Sequence, residues 1–374
     1  MIYLDNCATP RVFDQAAEQA ARFMLKDYCN SSAPYAAALD NEKSFNAFRR
    51  EIAGSIGAQA DEIYFTSGGT ESDNTVIFGA ADRQRKKIII SATEHPAVYE
   101  AAMHAKEYGA EVAVLPVDPE GRVRLKDLDE QLSPDCALVS IMHVNNETGV
   151  INPIGELAEL AHRKAPGCIF HSDGVQAHMR IECDVKKLGI DAYSVSGHKI
   201  HAPKGIGALY ISRNCRIKQL FYGGGQQNGF RSGTVNLPAV AGYAAACRMF
   251  EQNDYVSNIS RIKEVFRQNL KSCVINSSAA PTAPHILSVG FEGLQASTLQ
   301  NALESMGVIV GKGSACSSRS SRLSRTLESM GLPRAIAEGT VRIGIGALNT
   351  VQEAEQACEI INQTTQRLMR FRRK

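Results

Sequence analysis

The chain has 374 residues, 44% of them hydrophobic, which is more than one small core needs and enough for a large domain with a smaller one attached. With 41 basic and 39 acidic residues the formal net charge is +2, so no overall field draws in nucleic acid or an anionic membrane surface. The start, Met1-Ile2-Tyr3-Leu4-Asp5-Asn6, lacks a basic region followed by an apolar stretch, and no later segment reaches about eighteen uninterrupted apolar residues. A cytoplasmic chain with neither nucleic-acid nor membrane partners is expected.

In chain order, Phe45, Phe48, Ile52 and Ile56 fall at helical spacing and predict an amphipathic helix whose apolar stripe is ordinary core. Short runs rich in β-branched residues then recur at Glu62 to Thr66, Lys87 to Ser91, Glu111 to Leu115, Ala137 to Met142, Cys168 to Ser172, Asp191 to Ser196 and Ile206 to Ser212. These are seven candidate strands. Helical stretches lie between the earlier ones, at Asn74 to Ala81, Ala97 to Tyr108 and Ile154 to Lys164, so an α/β domain with a mainly parallel sheet covered on both faces is expected. No helix separates the last two strands, which makes an antiparallel pair there.

After Phe250 the pattern changes. Helical stretches near Ile259 to Leu270, Thr298 to Met306 and Val351 to Met369 frame candidate strands at His285 to Phe291 and Val341 to Ile345. The division expected is a large α/β domain over 13–254 and a smaller α+β domain built from 1–12 and 255–374. Ten cysteines are scattered with no paired spacing, so neither disulfides nor zinc knuckles are expected. The basic end, Arg367 to Lys374, reads as a solvated helix end or tail.

Four constellations carry chemistry. Thr66-Ser67-Gly68-Gly69-Thr70-Glu71-Ser72 joins a strand to a helix, so its free backbone N–H groups and hydroxyls suit a phosphate, although such turns also serve geometry alone. Ser194-Val195-Ser196-Gly197-His198-Lys199 ends a strand, where open α/β sheets place ligands. A lysine pulled into a cleft there can lose its proton and form an imine with an aldehyde cofactor. His198 and His201 have no carboxylate-rich companion motif, so no metal site is expected.

His171-Ser172-Asp173-Gly174-Val175-Gln176 ends the preceding strand and places Asp173 where it can keep a pyridine nitrogen protonated or, more plainly, cap a helix. Glu94-His95-Pro96 and Asn145-Asn146-Glu147 follow two further strands, so several strand ends converge on one cleft. The ring of His95 either stacks on an aromatic cofactor there or caps a helix. Val310-Gly311-Lys312-Gly313-Ser314-Ala315-Cys316-Ser317-Ser318 reads as a loop, at about 308–325, too rich in glycine and serine to pack. Cys316 on it is either a nucleophile activated beside Lys312 and Arg319 or a spare surface thiol.

Together these motifs resemble the cysteine desulfurases, pyridoxal-phosphate enzymes of the class V aminotransferase group. The likeness runs nearly end to end, through Tyr3 to Asn6, Thr66 to Asn74, Glu94 to Val98, Asn145 to Gly149, Ser196 to Gly207 and Gly313 to Ser318. It implies the fold-type I architecture, with pyridoxal 5'-phosphate joined to Lys199, His95 stacked on its ring, Asp173 facing the pyridine nitrogen, and Asn146 and Gln176 near the ring hydroxyl. The phosphate would be held by Gly69, Thr70, Ser196 and His198, with Thr234 reaching across from a second subunit of a homodimer. Arg342, with Asn146, would grip the carboxylate of the substrate L-cysteine. Cys316 would take the sulfur as a persulfide, releasing alanine, and pass it to an acceptor such as an iron–sulfur scaffold or a tRNA-thiolation enzyme.

This chain departs from the family pattern at Cys29 to Pro34, at Cys7 in place of alanine, at Gly174 where a side chain is common, and at Ala202 in place of glycine. Arg319 to Arg325 is unusually basic and is expected to influence which acceptor docks. The alternatives are a selenocysteine lyase or another carbon–sulfur lyase on the same scaffold, from which Cys316 discriminates, and a non-catalytic scaffold protein, against which the full set of chemical groups argues.

Overall fold

A computed structural model describes residues 1–80, 85–312 and 323–372, with residues 371 and 372 described by backbone alone. The chain opens on strand β1 (Ile2–Leu4). Strands β2 (Ile63–Thr66), β3 (Lys87–Ser91), β4 (Glu111–Leu115), β5 (Cys136–Ser140), β6 (Ile169–Asp173), β7 (Ala192–Ser196) and β8 (Gly207–Ile211) form a seven-stranded sheet in the order β2-β8-β7-β6-β5-β3-β4. Each lies within two residues of its expected ends. Its inner strands read as continuous apolar runs because both faces are covered; Ile88, Ile89 and Ile90 are all fully buried.

Strands β3 to β7 run parallel, while β8 is antiparallel to both β7 and β2. That reversal puts Gly207, at the start of β8, opposite Ser196 and Thr66 at the ends of its neighbours. A Cβ on Gly207 would lie 2.7 Å from the Gly68 Cα and 2.8 Å from the Val195 carbonyl oxygen, so only glycine permits this approach.

Strands β9 (Val274–Ile275), β10 (Ile286–Gly290), β11 (Val308–Lys312) and β12 (Thr340–Gly344) join β1 in a second sheet of order β1-β11-β12-β10-β9. β1 pairs with β11 in parallel, and the other pairs are antiparallel. The helices Tyr255–Asn269, Ala296–Ser305 and Val351–Arg372 pack on this sheet around a second hydrophobic cluster that includes Ile262, Phe266, Leu299 and Ile361.

The segment expected as a loop over 308–325 is not loop at its beginning. Val308 and Val310 are buried in the second cluster, and pairing with β1 and β12 overrides the glycine content of this stretch. On its far side, Leu327 and Met330 of the segment around helix Arg325–Ser329 pack into the core of the first sheet. Helices Asp14–Leu25 and Leu237–Gln252 have no counterpart in the expectations; the latter is buried nearly all round, which erases the periodicity of an amphipathic helix. Among the described residues no helix is long and apolar enough to cross a membrane.

Candidate active site

The carboxyl ends of β2, β3, β5, β6 and β7 open on one cleft of about 600 Å³, and ten of the twelve residues singled out from the sequence line it. Thr234 does not; it is exposed on the turn before helix Leu237–Gln252. Cys316 lies outside the described residues.

Lys199 sits on a short helical turn, Gly197–Ile200, which His201 ends in the left-handed region at φ 65°. His201 donates from Nδ1 to the Arg11 carbonyl at 2.7 Å and accepts from the Ala347 N–H at 3.1 Å, so both ring nitrogens are engaged in holding this turn. The Lys199 Nζ points into the cleft and donates to the carbonyls of Cys7 and Ala8, 2.8 Å each. Burial, with the Arg342 charge behind it, pulls the amine down to about 8. Lysine is thereby brought towards its nucleophilic neutral form.

Asp173 ends β6 almost fully buried and accepts from the Val175 N–H at 2.9 Å. Burial pushes its carboxyl up to about 6, against that hydrogen bond and the Lys199 charge. A cation placed in the cleft against Asp173 would reverse that shift. The Nδ1 of His95 accepts from the Ala97 N–H at 3.1 Å, capping helix Pro96–Ala105, and its ring also lines the cleft. Burial first, then the charges of Lys199 and Arg325, hold it near 4, so the ring is neutral with its proton on Nε2.

The cofactor implied by the resemblance needs a phosphate cradle, and an orphaned atom marks one. The Ser196 Oγ is buried without a partner among the described residues, at the same cleft edge as Gly69, Thr70 and His198. Helix Gly69–Ala80 presents its N-terminus there, and a Cβ on Gly69 would lie 2.7 Å from the Val175 Cγ2, so glycine is required for that approach. These residues fit a phosphate. Gln176 is more committed than the resemblance implies: it donates to the Cys7 carbonyl at 3.0 Å and accepts from His285 at 3.1 Å.

At the other end, Arg342 donates to the Asp5 carboxylate at 2.8 Å and to the Asn146 carbonyl at 2.7 Å, and its Nε is buried without a partner among the described residues. A guanidinium fixed on two sides with an N–H to spare is suited to a carboxylate.

Asp73, Glu147 and Arg325 are among the cleft residues to which the sequence assigns no role. Asp73, one turn into the helix that follows β2, lies beneath the cleft with its carboxyl raised by burial and then by Asp173. Glu147 accepts from Ser324 at 2.5 Å and Thr326 at 3.3 Å, tying the start of helix Arg325–Ser329 to the cleft wall. Arg325, expected to face an acceptor as part of a basic run, turns inward instead. It donates to the carbonyls of Ala92 and Glu94 and lies 3.5 Å from the ring centre of Tyr99. Asp73 and Glu147 belong to motifs already quoted, whereas nothing local distinguishes Arg325 from its basic neighbours.

Gly174 has a physical reason. A Cβ there would lie 2.0 Å from the Tyr193 Cζ, because the Tyr193 phenol fills that space on its way to bond His143 Nδ1 at 2.8 Å.

A family model described as aminotransferase class-V matches residues 2–356. The chain is 36% identical to a protein named cysteine desulfurase IscS from Methanosarcina thermophila, over 98% of this chain and 92% of that one. A solved structure named NifS-like protein superposes with a TM-score of 0.91 at 32% identity, covering 97% of this chain and 98% of the other. Another, named SspA in complex with cysteine, gives 0.84 at 29% identity, covering 93% and 99%. The chain belongs to the class V aminotransferase family, with the fold-type I architecture. Within that family it belongs to the cysteine desulfurases.

Proposed function

We propose that this chain is a pyridoxal-phosphate-dependent cysteine desulfurase that moves the sulfur of L-cysteine onto Cys316 and releases L-alanine. The observation that carries the reading is the convergence of a lysine whose amine is pulled down to about 8, a buried aspartate and a buried arginine in one cleft, on a chain that also bears the Gly313-Ser314-Ala315-Cys316 motif.

Gly69, Thr70, Ser196 and His198 would hold the phosphate, Lys199 the aldehyde carbon, His95 one face of the ring and Asp173 its nitrogen, with Asn146 and Gln176 on the hydroxyl side. When bound, the cofactor supplies an electron sink for negative charge developing on the substrate α-carbon. Arg342, beside Asn146, holds the substrate carboxylate. The Lys199 amine takes the α-proton, a task suited to a group near 8. The Cys316 thiolate attacks the substrate sulfur; the carbon–sulfur bond breaks with its electron pair left on carbon, which is protonated and leaves as alanine. Cys316 then carries a persulfide for an acceptor protein, such as an iron–sulfur scaffold or a tRNA-thiolation enzyme.

The exposure of Thr234 supports its use across the interface of a homodimer. The two separate sheets support the division into 13–254 and 1–12 with 255–374, and we place the enzyme in the cytoplasm. The test is incubation with L-cysteine and a reductant. Alanine and sulfide in equal amounts are expected, lost in Lys199→Ala; a protein that binds no pyridoxal phosphate, or releases no alanine, overturns the reading.

A further inference from the structure

A second, open cavity of about 510 Å³, outside the cleft described above, is bordered by three cations, Arg180, Lys263 and Arg267. Among the described residues the only acidic one on its border is Glu264, already paired with Arg267 at 3.6 Å. Arg180 is 4% exposed, with its guanidinium carbon 4.4 Å from the ring centre of Phe250. One of its nitrogens, Nη2, donates to the Lys199 carbonyl at 3.0 Å, whereas Nε and Nη1 are buried with no partner among the described residues. A buried guanidinium with N–H groups to spare favours an anion beside it.

Lys263 adds a second donor. It too is buried, and its Nζ donates to the Thr282 Oγ1 and the Ala283 carbonyl, 2.8 Å each, with one N–H left over. Burial, and after it the Arg267 charge, pulls it down to about 8. Ser260 and Thr282 place hydroxyls at the rim. Two buried cations with spare donors, one exposed cation and rim hydroxyls make a receptor for an oxyanion, in a volume that admits a small metabolite.

We propose that this cavity binds an anionic small molecule through a carboxylate or phosphate group, held by Arg180 and Lys263 with Arg267 at the mouth. Because Arg180 also holds the backbone of Lys199, occupancy of the cavity and the setting of the active lysine are coupled through one side chain. The inference does not depend on the sulfur chemistry.

The test is calorimetric titration of protein saturated with pyridoxal phosphate, so that the cofactor cradle is filled, with inorganic phosphate in one arm and malonate in the other. One saturable site per chain is expected in at least one arm, and the arm that saturates identifies the anion. Arg267→Gln and Ser260→Glu, both at exposed positions, should each weaken binding about tenfold, equivalent to about 1.4 kcal/mol. Arg342→Ala, in the main cleft, and Arg261→Gln, on the same helix but off the cavity, should leave it unchanged. Failure of both anions to saturate at millimolar concentration overturns the proposal. So does loss of binding in Arg342→Ala, which would place the anion in the main cleft, or equal loss in Arg261→Gln, which would mean a diffuse field.

Discussion

The most quantitative consequence of the cleft concerns the proton on Lys199. A fall from 10.5 to about 8 corresponds to about 3 kcal/mol in favour of the neutral amine. At neutral pH that raises the reactive fraction about 300-fold over an exposed lysine. Burial is the first cause and the Arg342 charge the second, so Arg342→Gln should return part of the shift and leave the part due to burial. The assay is the rate at which the apoprotein takes up pyridoxal phosphate, followed by absorbance across pH. Only the neutral amine reacts, so the rate climbs as pH rises and levels once the amine has lost its proton. The wild-type curve should bend near 8, and the Arg342→Gln curve above it but below 10.5. A wild-type bend near 10.5, or a variant bend at or below that of wild type, would refute the electrostatic account of Lys199.

Further outcomes follow from other residues. Cys316→Ser should abolish sulfide release from cysteine while borohydride still fixes a pyridoxyl group to Lys199; wild-type release by this variant would rule out the thiol as sulfur acceptor. Burial pushes Glu94 up to about 8, so the folded protein keeps a proton that the unfolded chain loses near 4.5, and stability falls as pH rises between those values. Calorimetry of Glu94→Gln should therefore show a smaller fall in Tm from about pH 5 to about pH 8 than wild type shows; an identical fall would place the pH dependence elsewhere. Gly174→Ala forces a Cβ to 2.0 Å from Tyr193 and should cost about 1–3 kcal/mol in denaturant unfolding, recovered in part by adding Tyr193→Leu. If the double variant is no better than the single, the tyrosine is not what excludes a side chain at Gly174.

The large sheet was legible because its strands are buried on both faces, so each appears as a run of β-branched residues between turn residues. The cleft was legible for a related reason: the turns at strand ends carry glycine and polar residues that packing alone does not require. What escaped needs partners far away in the chain. β11 looks like a glycine-rich loop until β1, about 300 residues earlier, pairs with it. Helix Leu237–Gln252 is buried on nearly every side and so has no stripe to read. Arg325 was seen only as one charge in a basic run, because its carbonyl partners at Ala92 and Glu94 lie on another strand end. Gln176 was given one role from its place beside Asp173, and the fold engages both ends of its amide with Cys7 and His285. Gly174 could be read as a departure, but its cause is Tyr193, on the neighbouring strand.

The central claim is that sulfur leaves cysteine for a thiol of the protein itself. It is tested most directly by mass spectrometry of the peptide carrying Cys316, after brief exposure of the cofactor-loaded protein to L-cysteine without reductant. One additional sulfur atom on Cys316 is expected, with alanine released in matching amount. Alanine released in full while Cys316 stays unmodified would contradict the account.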